Sequence, residues 1–277
     1  MPELPEVETI RRGLERVLIG KTVRQIKIHE TRFRQPLDAR KVKKLLTGQT
    51  VAALHRRAKY VLCEMRNGAH LILHLGMSGR VLYCKKTWPL EKHDHVQFCF
   101  HNGHELRFCD PRRFGMIDAV KREELQDYIH FQNLGPEPLS PTFTAKYLFV
   151  CARGLSRPIK NFLMDGAIVV GVGNIYASES LFRAGINPQR ACGKLRLEQW
   201  KKLADAIRTT LKLALATGGT TLNDFHNSDG EMGYFQQQLM VYGRDGEPCQ
   251  TCGKKIQRLV QAGRSSYFCP RCQARGK

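Results

Sequence analysis

Four cysteines near the C-terminus, Cys249, Cys252, Cys269 and Cys272, follow the spacing C-x2-C-x16-C-x2-C. That is the spacing of a tetrahedral four-thiolate zinc site closed by two knuckles. Four protein ligands leave no open coordination position, so the zinc predicted here is structural and folds a hairpin too small to have its own core. Around it, residues 241–277 hold Arg244, Lys254, Lys255, Arg258, Arg264, Arg271, Arg275 and Lys277 against only Asp245 and Glu247. A rigid basic finger suits phosphate contact, and Arg264 lies between the knuckles, where the hairpin tip is expected.

The other end begins Met1-Pro2-Glu3-Leu4-Pro5-Glu6-Val7-Glu8. Trimming of Met1 turns Pro2 into a free secondary amine beside a carboxylate. An α-amine titrates near 7.7–8.0, well below lysine at about 10.4, so it is partly nucleophilic at neutral pH. A secondary amine attacking a sugar C1′ gives an iminium, and Glu3 next to it can donate or relay protons. The same residues also fit ordinary helix capping, and on residues alone both readings stand.

Composition narrows the partners. The 277-residue chain carries 45 Lys and Arg against 25 Asp and Glu, a formal charge of +20, with 42% hydrophobic residues. It is a globular protein of about two domains with a polyanionic partner, nucleic acid first among the candidates. The longest apolar stretches, such as 69–77 and 167–175, are about half a membrane span, so no membrane association is expected. Glu3, Glu6 and Glu8 stand where a signal peptide needs a basic then apolar run, which predicts a cytoplasmic protein without disulfides. The six scattered cysteines, Cys63, Cys84, Cys99, Cys109, Cys151 and Cys192, read as small buried hydrophobes.

The elements that must position these groups show in the periodicity. Val7, Ile10, Leu14 and Val17 make residues 5–19 an amphipathic helix stopped at Gly20. Short β-rich runs follow at 23–30, 50–55, 59–66, 70–76, 79–84, 95–101, 104–109 and 115–120, with hairpin turns signalled by Asn67-Gly68 and Asn102-Gly103. The first half is therefore an antiparallel sandwich or barrel with a leading helix. Beyond about 121 the period becomes helical, at 142–152, 174–184 and along Leu197, Trp200, Leu203, Ile207, Leu211 and Leu215 up to Gly218-Gly219. Gly135-Pro136-Glu137-Pro138 reads as the linker. Gly171-Val-Gly173-Asn174 precedes a helix whose free amides suit a phosphate, and it is not a dinucleotide fingerprint, since Tyr176 stands at the third glycine.

PELPEVET at 2–9, RRAKY at 56–60, HLGMSG at 74–79, EKHDHV at 91–96, DPRRFG at 110–115, LGPEPL at 134–139, IKNFLMD at 159–165, VGVGNIYASE at 170–179 and LMVYGR at 239–244 stand in one order with the cysteine finger. Together they resemble the formamidopyrimidine-DNA glycosylase family of the MutM type. The resemblance implies an α+β multidomain fold: a β-sandwich catalytic domain with the N-terminal nucleophile at 2–133, a helix-two-turn-helix DNA-binding domain at 134–240 with a lesion-capping loop at about 217–237, and a zinc finger at 241–277. It implies a monomeric enzyme that excises oxidised purines from duplex DNA and then cleaves the strand at the abasic site by β,δ-elimination.

By the same resemblance Pro2 displaces the base and forms the Schiff base, Glu3 serves as acid and base, Lys59 assists β-elimination, and Arg264 binds phosphate for the δ step. On residues alone Lys59 reads as a solvated lysine at the opening of a strand, and Arg264 is a phosphate clamp because arginine is a poor proton donor at neutral pH. Met77, Arg112 and Phe114 match the triad that fills the helix when the base is flipped; for Met77 and Phe114 core packing is the alternative. Lys160, Asn174 and His93 match phosphate-positioning residues. One structural zinc and no catalytic metal or organic cofactor are expected. Two other readings remain: an endonuclease VIII-type enzyme for oxidised pyrimidines, disfavoured because that branch typically has PEGPE where this chain has PELPE, and a non-catalytic zinc-finger protein binding damaged DNA, which would need neither Pro2, Glu3 nor Lys59.

Overall fold

A computed structural model describes residues 2–218, 225–226 and 239–274. The capping loop expected at 217–237 therefore falls, apart from 217, 218, 225 and 226, outside the described residues. The chain forms two units, residues 1–132 with 218–236, and residues 133–217 with 237–277.

The first unit opens with helix α1 (Leu4–Leu18), started by Pro5 in its first turn, where proline's missing amide costs nothing. Val7, Ile10, Leu14 and Leu18 form its buried stripe, and Gly20 at φ +77° ends it. Strands β1 (Val23–Ile28), β2 (Val51–Arg57), β3 (Tyr60–Met65), β4 (His70–His74), β5 (Arg80–Lys85), β6 (Asp94–Phe100), β7 (His104–Cys109) and β8 (Met116–Val120) follow the β-rich runs of the sequence. They make two sheets, one ordered β1-β6-β7-β5, the other β2-β3-β4-β8, with every pairing among these strands antiparallel. The two-residue strand β9 (Phe225–His226) pairs parallel with Val81 and Leu82 on the free edge of β5.

One apolar cluster joins both sheets and α1, drawing Val81, Val96, Phe98, Leu106 and Phe108 from one sheet and Leu54, Val61, Leu71, Leu73 and Ile117 from the other. This is a β-sandwich. Helix α2 (Ala39–Leu46) has no counterpart in the sequence reading. Its signals are short: the Asp38 carboxylate caps the amides of Arg40 and Lys41, and only Val42 and Leu46 are buried.

The second unit is helical, with α3 (Ala145–Ala152), α4 (Ile159–Leu163), α5 (Asn174–Arg183) and α6 (Leu197–Ala216) around Phe143, Phe162, Tyr176 and Trp200. Of these, α4 is too short to show a period. The unit ends in the hairpin β10 (Gln257–Gln261) and β11 (Arg264–Phe268), turned at Ala262-Gly263 with φ of +47° and +72°. The segment read as a linker is packed instead: Gly135 N–H donates to the Gly166 carbonyl, and a Cβ on Gly135 would stand 2.7 Å from the Ala167 oxygen. A glycine chosen for close approach looks, in sequence, like one chosen for flexibility.

Candidate active site and nucleic-acid interface

Pro2 and Glu3 are buried at the head of α1, Glu3 being the N-cap and 2% exposed. The Glu3 amide donates to Glu6 Oε2 at 2.8 Å, which fixes the backbone that carries the Pro2 nitrogen. Ion pairs then tie this helix to the β2–β3 hairpin. Glu8 accepts from Arg11, Arg12 and, at 3.2 Å, from Arg56 Nε, while Arg56 Nη1 donates to the Ala58 carbonyl and Arg11 Nη1 to that of Leu54. Burial alone would raise the Glu8 carboxyl, but the bonds and charges of Arg11, Arg12 and Arg56 outweigh it and hold the carboxyl below its usual range. Arg57 pairs with Tyr60, so Ala58 and Lys59 form a two-residue loop, with Ala58 at φ +53° and Lys59 half-buried. Next to it His74 packs on Tyr60 with ring centres 4.7 Å apart. Burial, then the positive charges of Lys59, Arg34 and His130, push His74 down to about 4. It is neutral at pH 7, and its Nδ1 accepts the Gly76 amide.

Met77 and Phe114 are 48% and 43% exposed, so they are not core residues. The Arg112 guanidinium lies 4.7 Å from the centre of the Phe114 ring. Two adjacent loops carry the three side chains, and glycine sets their approach: a Cβ on Gly76, at φ +60°, would fall 2.4 Å from the Phe114 carbonyl. His93 is half-buried beside His95, and its carbonyl accepts the Asp110 amide at 3.1 Å. A cluster of two apolar wedges, an arginine and a histidine on one side of the sandwich can part a base step, bond an orphaned base and meet a phosphate.

In the second unit Lys160, Asn174 and the finger meet. Lys160 is 1% exposed, and its Nζ donates to Asn174 Oδ1 at 2.6 Å, to the Ser265 carbonyl at 2.8 Å and to Ser266 Oγ at 2.8 Å. The sequence reading put this ammonium on phosphate; the structure turns it inward, where it locks α4, the first turn of α5 and strand β11 together. Arg264, the residue after the hairpin turn, is exposed. The Sγ atoms of Cys249, Cys252, Cys269 and Cys272 all lie within 4.8 Å of one another, Cys249 to Cys272 at 3.9 Å and Cys252 to Cys269 at 3.4 Å. Zinc–sulfur bonds of about 2.3 Å put tetrahedral sulfurs roughly 3.8 Å apart, so the donor set fits one closed structural zinc site. Val241, Ile256 and Phe182 of α5 pack around it. Glu179 of α5 accepts three successive amides, those of Met240, Val241 and Tyr242, at 2.9–3.0 Å.

Three family descriptions match in series: the formamidopyrimidine-DNA glycosylase N-terminal domain over residues 1–117, the H2TH domain of that glycosylase over 134–226, and the zinc finger found in FPG and IleRS over 246–275. The chain belongs to the formamidopyrimidine-DNA glycosylase family. With that it is a DNA glycosylase. Curated formamidopyrimidine-DNA glycosylases of Stenotrophomonas maltophilia K279a and Alteromonas mediterranea are 48% and 49% identical to it, each over 99% of this chain and all of the relative. The fold of this glycosylase superposes on a Lactococcus lactis FPG mutant bound to Fapy-dG-containing DNA with a TM-score of 0.91 at 34% identity, covering 99% of this chain and 100% of that one. Thermus thermophilus MutM gives 0.87 at 38% identity over the full length of both.

Sequence reading of this glycosylase named neither Asp110 nor Ser78, neither Ser265 nor Ser266, and neither His74 nor Glu179. Asp110, Ser78, His74 and Glu179 lie inside quoted motifs, so a signal existed, but Asp110 meets Ser78 and Glu179 meets residues 240–242 from distant parts of the chain, and spacing carries none of that.

Proposed function

We propose that this glycosylase excises oxidised purines, 8-oxoguanine and formamidopyrimidines, from duplex DNA as a monomer, and cleaves the strand by β,δ-elimination. The observation that carries the reading is the buried Pro2-Glu3 pair held at the head of α1 by the Glu3–Glu6 bond and braced against the Lys59 hairpin. After loss of Met1, the Pro2 nitrogen attacks C1′, and the bond from C1′ to the base breaks as the base leaves with its electron pair. Glu3 supplies or takes the protons at the opening sugar. Loss of the amine proton leaves a neutral aminal, whose nitrogen lone pair breaks the C1′–O4′ bond as O4′ takes a proton from Glu3, and the resulting iminium acidifies C2′–H. Removal of that proton expels the 3′ phosphate, a step in which Lys59 assists, and a second elimination expels the 5′ phosphate where Arg264 holds it. Water then releases the sugar remnant from Pro2.

Met77, Arg112 and Phe114 fill the space left by the everted base, and His93 and Asn174 meet the backbone phosphates. Lys160 acts on that backbone through the residues it fixes. The relatives support the substrate: Lactococcus lactis FPG has been solved with Fapy-dG-containing DNA and with DNA containing an abasic site.

Borohydride trapping on a duplex with one 8-oxoguanine opposite cytosine tests the proposal. The expected result is a covalent adduct mapped to Pro2, absent from Pro2→Gly and from a form that retains Met1. No adduct, with tight binding preserved, refutes the nucleophile and leaves a DNA-binding protein on this fold.

A further inference from the structure

We propose that Asp110 is a positioning residue that sets the geometry of the DNA-inserting side chains, by clamping the loop of Met77 to the loop of Arg112 and Phe114. The assignment rests on the reading that these three enter the duplex.

Asp110 is fully buried. One carboxylate oxygen accepts from Ser78 Oγ at 2.6 Å, in the loop of Met77. The other accepts from the Gly115 amide at 2.7 Å, next to Phe114. Ser78 Oγ in turn accepts the amide of Arg112 at 3.2 Å, so a single hydroxyl links both loops. The backbone of Asp110 is held as firmly: its amide donates to the His93 carbonyl, and its own carbonyl accepts from His95 Nε2 at 2.9 Å and from the Arg113 amide.

Met77 and Phe114 are both more than two-fifths exposed. Exposed apolar side chains keep a fixed direction only if the backbone beneath them is fixed. A buried carboxylate needs strong donors, and among the described residues the two that the Asp110 side chain has are in the two inserting loops. The cost of burying it is thus spent on the relative placement of those loops.

The test compares Asp110→Ala, Asp110→Asn and Ser78→Ala with wild type. Three readouts are needed: single-turnover excision of 8-oxoguanine from duplex, cleavage of a preformed abasic site in single-stranded DNA, and fluorescence of 2-aminopurine placed beside the lesion, which reports insertion. A loop displaced by about 1 Å costs up to roughly 100-fold in rate. Asp110→Ala is expected to slow duplex excision about 10- to 100-fold and to abolish the fluorescence change, with single-strand cleavage within about twofold of wild type. Ser78→Ala falls between. Asp110→Asn keeps an acceptor for Gly115 and offers its amide to Ser78, so it is expected to restore most of the rate.

Wild-type duplex excision by Asp110→Ala overturns the proposal, as does an equal loss in both cleavage assays, which would mark a merely structural residue. The same holds for Asp110→Asn as impaired as alanine. The fluorescence signal needs insertion and no chemistry, so it judges Asp110 even if the wild type fails to excise, an outcome that would instead sink the functional reading.

Discussion

Replacing Lys160 by methionine keeps a linear stem and removes the ammonium. In the native protein that ammonium is buried and donates to Asn174 Oδ1, the Ser265 carbonyl and Ser266 Oγ at 2.6–2.8 Å. Hydrogen bonds from a charged group contribute about 1.5–3 kcal/mol each, so the three together give roughly 5–9 kcal/mol. Burying an ammonium costs several kcal/mol, which the substitution recovers. Ser266 Oγ still donates to Gln261 Oε1. The net loss is about 2–4 kcal/mol, or roughly 5–15 °C in melting temperature at about 2–4 °C per kcal/mol. Calorimetry with zinc present measures it. Duplex affinity should fall too, because the strand that carries Arg264 loses its anchor. The salt dependence separates this from a lost phosphate contact: Arg264→Ala should reduce the slope of log K against log salt by about 0.9, and Lys160→Met by well under half of that. An unchanged or raised melting temperature, or a slope reduced as much as in Arg264→Ala, would refute the inward assignment.

Other outcomes follow from the same geometry. His74 has a folded pKa of about 4 against an ordinary value of 6.5, so its contribution is complete above 6.5 and falls as pH drops toward 4, by about 3 kcal/mol in total; urea unfolding against pH should show this, and His74→Asn, which keeps an acceptor for Gly76, should flatten it. Glu8 is held below its ordinary carboxyl value, so its stabilisation is present above that value and lost as pH falls through the folded one. Glu8→Gln should cost on the order of 1–2 kcal/mol near neutrality and little in acid, measured by the same titration. Metal analysis should find one zinc per chain; brief chelation should leave excision intact, whereas prolonged chelation or Cys252→Ser should release the zinc and weaken DNA binding together.

The strands of the sandwich were legible because apolar residues recur at the period of a half-buried sheet, and α6 because its stripe runs for five turns. The finger was legible because ligand spacing is a covalent constraint. Helix α2 hid because eight residues with two buried positions give too little period. Lys160 reads as a surface cation because nothing local announces partners more than 100 residues away, Ser265 and Ser266. Asp110 was masked differently: it sits beside two arginines in DPRRFG, and basic neighbours invite an ion-pair reading, while its partners are a hydroxyl and a backbone amide. The exposure of Met77 and Phe114 was the opposite of what their chemistry alone suggests.

Glu179 takes the amides of Met240, Val241 and Tyr242 onto one carboxylate, on a helix that is itself part of the core. The chain entering the finger is thereby tethered at a point set by α5, whatever residues precede it. The finger therefore takes its alignment from α5.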